Sequence, residues 1–422
     1  MPVYHPRMRA LLDILPDGFG ADEADSAPAY DVIPRSVEIE RNGFREADKF
    51  TLELDYSDFP FDPRSIRSCR VAIHLQDTGD PQRDIAWNDR SSLRFVGFVD
   101  EPKTSWSEGG EVVRFTGRDY TGVLLDSKWD GTMVRVDRPF ATVVREVVSQ
   151  APGAEEVSID MPANLATAVI AGRLGKKKWA PPKNATVWGV LVELCQLLGV
   201  LPNFELDTLV IRAADDFASG SALLLWGFNV LNLEFSRNLT EIRTKQIRVK
   251  SWDPVAGVSR EGTWPIEPII VKKRVSTKGK VTLDAAPLET FNVQGSFSPE
   301  QLRDIARGIY EEGARQQIEG MLETREMADL IGDDLTRLAN GDALVVQLSK
   351  DDPSTFTGLS SAAAVRRLVE GPARMRPEVA RALVVASRNA DRLASTFYVQ
   401  RATHRMDREN GYSLRVAFIN YV

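Results

Sequence analysis

The stretch Leu233–Pro254, LEFSRNLTEIRTKQIRVKSWDP, decides how this chain is read. It gathers Arg237, Arg243, Lys245, Arg248 and Lys250 in a chain whose formal net charge is -7. Such a run is a nucleic-acid contact, a membrane-surface patch or one solvated face of a strand. Its alternation favours the strand. In QIRVKSW, Ile247 and Val249 share one face, while Arg248 and Lys250 point to the other, toward water or a neighbouring subunit. Asp253-Pro254 is a turn signal that ends the strand.

Period two recurs on the N-terminal side. In KFTLELDYS, Phe50, Leu52, Leu54 and Tyr56 alternate with polar residues, and in SCRVAIHLQD, Cys69, Val71, Ile73 and Leu75 share a face. LRFVGFVDEP and EVVRFTGRDY follow, joined by a polar connection ending in Gly109-Gly110. These are half-buried antiparallel strands, so residues 34–125 are expected to form a small β-barrel or sandwich. Residues 1–33, rich in Pro, Asp and Ala, are expected to be an extended arm.

From Pro139 the period lengthens. Phe140, Val143, Val144, Val147 and Val148 fall on one helical face, as do Val187, Val190, Leu191, Leu194, Leu197 and Leu198, with Gly199 as C-cap. NFELDTLVIR reads as a tight hairpin turning at Asp207-Thr208, which makes 126–232 an inserted α+β unit. Strands return over 233–422, in KQIRVKSW, PIEPIIVKKRV, EGMLETREM and GDALVVQLSK. Ser298 and Gln301 spell a capping box around Pro299, opening a helix with Leu302, Ile305, Ala306, Ile309 and Tyr310 on its apolar face. Two more helices are expected within 359–370 and 376–394. The chain closes on a hairpin turning at Asn410-Gly411, with Tyr412, Leu414, Val416 and Phe418 on one face. That hairpin echoes the earlier FVGFVDEPKTSWSEGGEVVRFTGRD and hints at two similar β-barrels in one chain.

The bulk numbers narrow the function classes. A length of 422 residues calls for two or three domains, and 43% hydrophobic with 27% charged residues is a soluble balance. The acidic charge argues against a dedicated nucleic-acid binder. Two distant cysteines, Cys69 and Cys195, exclude a disulfide framework and a cysteine zinc site, and read as buried free thiols. No apolar run is long enough to span a bilayer, and ALLDIL, broken by Asp13, is a poor secretory signal, so assembly in a cytoplasm is expected.

Catalytic chemistry finds little support. His5, His74 and His404 are scattered, the last two on faces read as polar, and neither H-E-x-x-H nor G-x-S-x-G occurs. GRLGKKK fails as a phosphate loop, with Ile170 in place of its first Gly and Lys177 in place of Ser or Thr. Asp215-Asp216, Asp333-Asp334 and Asp351-Asp352 read as turn and cap residues rather than a glycosidase pair. The loop GKKKWAPPK, with Lys176, Lys177, Lys178 and Lys183 around Trp179, is the best nucleic-acid or lipid candidate, but an exposed loop with its tryptophan packed inward is the stronger reading. Trp188, Trp226, Phe228 and Trp252 read as core or subunit-interface aromatics. No catalytic, cofactor or metal residue is assigned.

The order of these segments carries a resemblance. FSRNLTEIRTKQIRVKSWDP resembles the start of the second half of phage late control protein D and related contractile-tail baseplate hubs, a family related to type VI secretion spike hubs. ADKFTLELDYSDFPFDPRSIRSCRVAIHLQD, FVGFVDEP, VRFTGRDYTGVLLD and FNVQGSFSPEQLRDIARGIYEEGARQQIEGMLETREM are similar to other parts of that family, so the likeness covers about residues 30–422. It implies a β-rich α+β fold: a 34–125 barrel, a 126–232 insertion, and a second barrel over 233–422 with helical insertions. It further implies a homotrimeric ring in the virion baseplate, joining a six-fold tail tube to a three-fold spike. The partners implied are the central spike, the tube or its initiator, the tape-measure protein and baseplate wedge proteins, with DNA only in transit and no membrane insertion. A tail-associated cell-wall hydrolase, or a nucleic-acid binder using the 176–183 loop, are the alternatives.

Overall fold

Alternating apolar residues become strands from the start of the chain. Met8, Ala10, Leu12 and Ile14 are buried while Arg9, Leu11 and Asp13 between them are not. This is β1 (Pro6–Pro16), which pairs antiparallel with β2 (Ala29–Val32). The described parts of residues 1–33 are therefore sheet strands, a correction to the extended arm. The apolar run ALLDIL masks the alternation because Leu11 and Leu15 sit at half-exposed positions.

The computed structural model describes residues 6–16, 29–43, 46–59, 62–78, 82–85, 90–107, 110–154, 157–213, 221–225, 229–237, 246–253, 257–267, 270–275, 281–285, 288–294, 297–315, 318–329, 333–347, 356–357 and 396–421. The expected helices within 359–370 and 376–394 lie outside them. After β2 come β3 (Ser36–Arg41), β4 (Lys49–Asp55), β5 (Ile66–Asp77), β6 (Leu93–Ser107) and β7 (Gly110–Arg118). The next elements are α1 (Tyr120–Asp126), β8 (Val134–Arg135), α2 (Phe140–Val148), β9 (Ser158–Asp160), α3 (Ala163–Ala166) and α4 (Ala171–Leu174). They continue through β10 (Lys178–Trp179), α5 (Val187–Leu198), β11 (Leu201–Glu205) and β12 (Thr208–Arg212). Then follow β13 (Ser221–Leu225), β14 (Asn232–Arg237), β15 (Gln246–Asp253), β16 (Val258–Trp264), β17 (Ile270–Val275), β18 (Val281–Ala285) and β19 (Leu288–Gln294). The chain ends with α6 (Pro299–Arg315), β20 (Ile318–Thr324), β21 (Ala343–Gln347), β22 (Phe356–Thr357), β23 (Thr396–Asp407) and β24 (Gly411–Tyr421).

One large sheet runs β14-β20-β24-β23-β3-β4-β7-β6-β5-β1-β2, with β13, β21 and β22 attached beside β23. One continuous core lies behind both halves, from Met8 to Phe418. Among the described residues the strand path is open, from β14 to β2, with no ladder closing either half into a barrel. The fold is β-rich α+β.

The sheet contains the same unit twice. The path β3-β4-β7-β6-β5 repeats as β14-β20-β24-β23-β21. Hairpin β6–β7 pairs Ser107 with Gly110 and Glu101 with Thr116, then shifts register so that Val99 faces Gly117. Hairpin β23–β24 pairs Asp407 with Gly411 and Arg401 with Ala417, then shifts so that Val399 faces Phe418. Each thus carries one bulged residue, Asp100 or Gln400, at the same distance from its turn. Each unit also has a 3-10 turn before β5 or β21, at Pro63–Ser65 and Leu335–Arg337, capped by Asp62 and Asp334. The hairpin echo in the sequence has this duplication behind it.

Core packing shows how two unlike sequences fill one template. In the first unit Phe50 faces Gly117 across β4–β7. At the equivalent place in the second, Gly320 faces Phe418 across β20–β24. The ring changes strand and the glycine changes with it. A Cβ at Gly117 would meet the Phe50 ring and the Phe98 carbonyl, and one at Gly320 the Phe418 ring. Phe50 then packs tilted against Phe95 at 5.1 Å and Phe418 against Phe397 at 4.7 Å between ring centroids.

Between the units, residues 120–212 build their own core. Phe140, Val143, Val144, Val147 and Val148 of α2 are all buried, each worth roughly 1.5–3 kcal/mol relative to exposure. Helix α5 is capped by Thr186, whose hydroxyl accepts from the Gly189 amide at 3.1 Å, and ends at Gly199 with φ 72°. The hairpin after it turns at Leu206-Asp207, one residue earlier than expected, with Leu206 at φ 59°. The opening stretch Leu233–Pro254 is divided. Its first part is β14 at the edge of the large sheet, whereas β15 belongs to a separate sheet with β16 and β19. The alternating segment QIRVKSW is thus a strand, as its period two predicts, but in a different sheet from the strand before it. Ile247 and Val249 are buried under α6, with Leu302 and Ala306. The capping box forms: the Ser298 amide donates to Gln301 Oε1 at 2.9 Å and the Gln301 amide to Ser298 Oγ at 3.2 Å.

Candidate functional site

The most elaborate polar construction among the described residues is the junction of the two units. Strand β23 changes neighbours along its length. Phe397 and Tyr398 pair with β21 of their own unit, and Ala402–Asp407 pair with Arg41–Ser36 of β3 in the other. Side chains lock this ladder. Arg94 on β6, only 4% exposed, donates to the Thr336 hydroxyl at 2.5 Å, to the Ser91 and Leu93 carbonyls, and to the Asp334 carboxylate. Arg337 returns from the second unit to the Ser91 carbonyl at 2.6 Å. Arg408, in the closing turn, donates to the Pro34 and Ile33 carbonyls and to Asp55 at 3.1 Å.

His404 sits at the centre of the junction. Its Nε2 lies 2.8 Å from the Leu338 carbonyl, which can only accept, so Nε2 carries the proton. Nδ1 then accepts from the Tyr412 hydroxyl at 2.8 Å. Burial holds the imidazole neutral, with a pKa down at about 4, and pushes the Tyr412 hydroxyl well up. His74 is buried too, with Nδ1 2.9 Å from Ser92 Oγ. The two corrections to the polar-face reading have different causes. His404 shares the parity of Ala402 and Met406, and that parity faces inward. His74 lies opposite Val71, Ile73 and Leu75, on the face where neighbouring Ala72 packs against the core of the α+β unit.

A second buried group adjoins it. Arg41 donates to Asp48 at 2.7 Å, and Asp48 accepts from the Asn42 amide at 2.7 Å. Asp119 caps α1 through the Thr121 amide and hydroxyl, both at 3.0 Å. Burial raises the pKa of both carboxyls, and Asp48 also acts on Asp119 as a like charge. Every contact here ties loop to strand or caps a helix. A groove of about 410 Å³ opens at the Arg408 end of the junction, lined by Arg7, Ile33, Arg83, Asp84, Met406 and Arg408 among others. Among the described residues no His, Cys, Asp and Glu group has metal-binding geometry, and no helix is long and apolar enough to cross a membrane.

The sequence candidates are dispersed. Lys178 and Trp179 form β10 against β8, with Trp179 packed on the α+β core and Lys176–Lys178 exposed. Trp188 is core and Trp252 is 58% exposed, while Trp226, Phe228, His5, Asp215-Asp216 and Asp351-Asp352 lie outside the described residues. Asp334 caps the Leu335–Arg337 turn and pairs with Arg94 across the junction. Arg248 and Lys250 both lie 3.9 Å from Glu261 across β15–β16, so their charge is partly answered within the sheet. The outer face of the large sheet mixes signs as well, with Arg114 on Glu53, Arg401 on Glu40 and Arg415 on Glu323. Cys69 is a buried free thiol, its pKa pushed up to about 12 by burial.

No protein-family model and no curated protein sequence matches the chain. Solved structures do. A tail protein from Neisseria meningitidis MC58 is similar over 98% of this chain and 96% of its own, with TM-score 0.60 and 13% identity. The 43 kDa tail protein of prophage MuSo2 from Shewanella oneidensis is similar over 97% of this chain and 98% of its own, with TM-score 0.56 and 13% identity. The likeness runs the length of both chains, and this chain has the fold of those phage tail proteins.

Proposed function

We propose that the chain is a structural hub protein of a contractile phage tail or a related injection system. Three copies form a ring that joins a six-fold tail tube to a three-fold spike and leaves a channel for genome or cargo. The observation that carries the reading is the duplicated sheet unit. Two equivalent units per chain, taken three times, give six similar surfaces on one side while the ring itself keeps three-fold symmetry. The full-length likeness in fold to two tail proteins supports the same role. So does the junction, whose buried Arg94, Arg41 and Asp48 tie strands and loops to one another. In this role the units act as two small barrels, and the partners are the spike, the tube or its initiator, the tape-measure protein and baseplate wedge proteins. DNA passes without sequence-specific contact, and the chain works as a virion part rather than as an enzyme.

Negative-stain electron microscopy of the purified chain tests this. Class averages are expected to show a ring with six lobes and a central opening. Compact single particles without an opening would contradict it.

A further inference from the structure

The two units are joined by one strand pairing, and each has a second, unused copy of the edge that makes it. At the junction, Ala402–Asp407 of β23 pair with Arg41–Ser36 of β3. The hairpin correspondence places Pro102–Ser107 of β6 where Ala402–Asp407 stand in β23. The pairings of β3 with β4 and of β14 with β20 place Asn232–Arg237 of β14 where Ser36–Arg41 stand in β3. Among the described residues both segments are open. Strand β14 is the end of the sheet, and beyond Phe98 β6 pairs with β7 alone.

We propose that β14 of one copy pairs antiparallel with Pro102–Ser107 of the next, repeating between chains the β3–β23 ladder within the chain. This deepens the ring proposed above and rests on it. The register follows: Ser107 faces Asn232, Trp106 faces Leu233, Ser105 faces Glu234, Lys103 faces Ser236 and Pro102 faces Arg237.

Side chains at the two edges fit the assignment. Inside the chain, Met406 faces Val37, and the two are 3% and 1% exposed. Their equivalents are Trp106, 63% exposed, and Leu233, half-buried beside Leu231 at 54%. The apolar pair that the internal ladder covers is thus matched by a largely uncovered Trp106 and a Leu233 that packs only partly on the core, as at an unfilled interface. On the other face Lys103 lies diagonal to Glu234, within reach of a cross-strand ion pair. Pro102 stands at the end of the ladder, where its missing N–H removes at most one bond. The contact joins two different edges, so it is head-to-tail and closes only as a ring.

Disulfide trapping tests the register. Ser105→Cys and Glu234→Cys fall on exposed positions, and the native Cys69 and Cys195 are buried. Neither single variant is expected to cross-link with itself on oxidation, whereas an equimolar mixture gives covalent dimers and the double variant a ladder reaching three chains. The double variant Lys103→Cys, Asn232→Cys, out of register by about 13 Å, is expected to cross-link at least tenfold less. Trp106→Glu is expected to raise the concentration at which the assembly half-dissociates at least tenfold, with an unchanged circular dichroism spectrum. Light scattering separates the failures. Assembly of the double variant to the wild-type mass without cross-links overturns the edge pairing and leaves the ring standing. Equal cross-linking of the out-of-register pair also overturns the pairing. Monomeric wild type overturns both.

Discussion

At the scale of single residues the junction makes two charged or titratable groups unusually informative. His404 is neutral when folded, with a pKa near 4 against 6.5 when unfolded. Between these values the unfolded chain binds the extra proton, so stability rises with pH across that window and the full contribution is present above 6.5. The span is worth about 3 kcal/mol. His404→Gln should flatten the dependence of unfolding free energy on pH between about 6.5 and 4, measured by urea titration at several pH values; a variant as steep as the parent would contradict the assignment. Asp48 and Asp119 carry the opposite sign, because burial raises their folded pKa above 3.8 and acid relieves them. Comparing the variant with its parent cancels them. Arg94 is buried but Asp334 is 40% exposed, so removing the arginine strands a carboxylate that water can reach. Arg94→Ala should then cost about 2–3 kcal/mol in the same titration, below the cost of breaking a fully buried pair. Neither residue was marked by sequence as special. The parity of His404 with Ala402 and Met406 was available, but Arg94 and Asp334 are 240 residues apart and only the sheet path brings them together.

Among elements, the duplicated hairpins explain which glycines matter. Gly320→Ala should destabilise by about 1–3 kcal/mol, because the added methyl overlaps the Phe418 ring. Pairing it with Phe418→Leu should recover part of that loss, and a fully additive double variant would refute the swap of ring and glycine between units. Ser298→Ala should cost about 1 kcal/mol through loss of the capping box. Strands with clean alternation, such as β4 and β24, were legible, and so were α2, α5 and the cap of α6. Those signals are local. Strand β1 was not, since Leu11 and Leu15 add apolar residues on the wrong parity. The division of Leu233–Pro254 between two sheets was not legible either. Period two reports that a segment is a strand, and says nothing of which neighbour it finds.

For the whole molecule, the thin hairpin echo in the sequence corresponds to a duplication in register, bulge and 3-10 turn, with almost every side chain changed. That is why the fold was readable from the order of segments while the junction was not. A backbone template tolerates such change if volume is conserved across each facing pair, as Phe50 with Gly117 and Gly320 with Phe418 show. The basic segments lose their first meaning at this scale. The chain's net charge is -7, and the basic residues of β15 lie near an acidic neighbour, so replacing Lys176–Lys178 by Ala should leave DNA retention in a salt-controlled gel shift unchanged. The central claim is that two equivalent units per chain serve a ring of three chains. Light scattering on the purified protein across a hundredfold concentration range measures it most directly. The account expects a particle of three times the chain mass of 46.9 kDa, stable on dilution or formed as concentration rises; a single-chain mass throughout that range would contradict it.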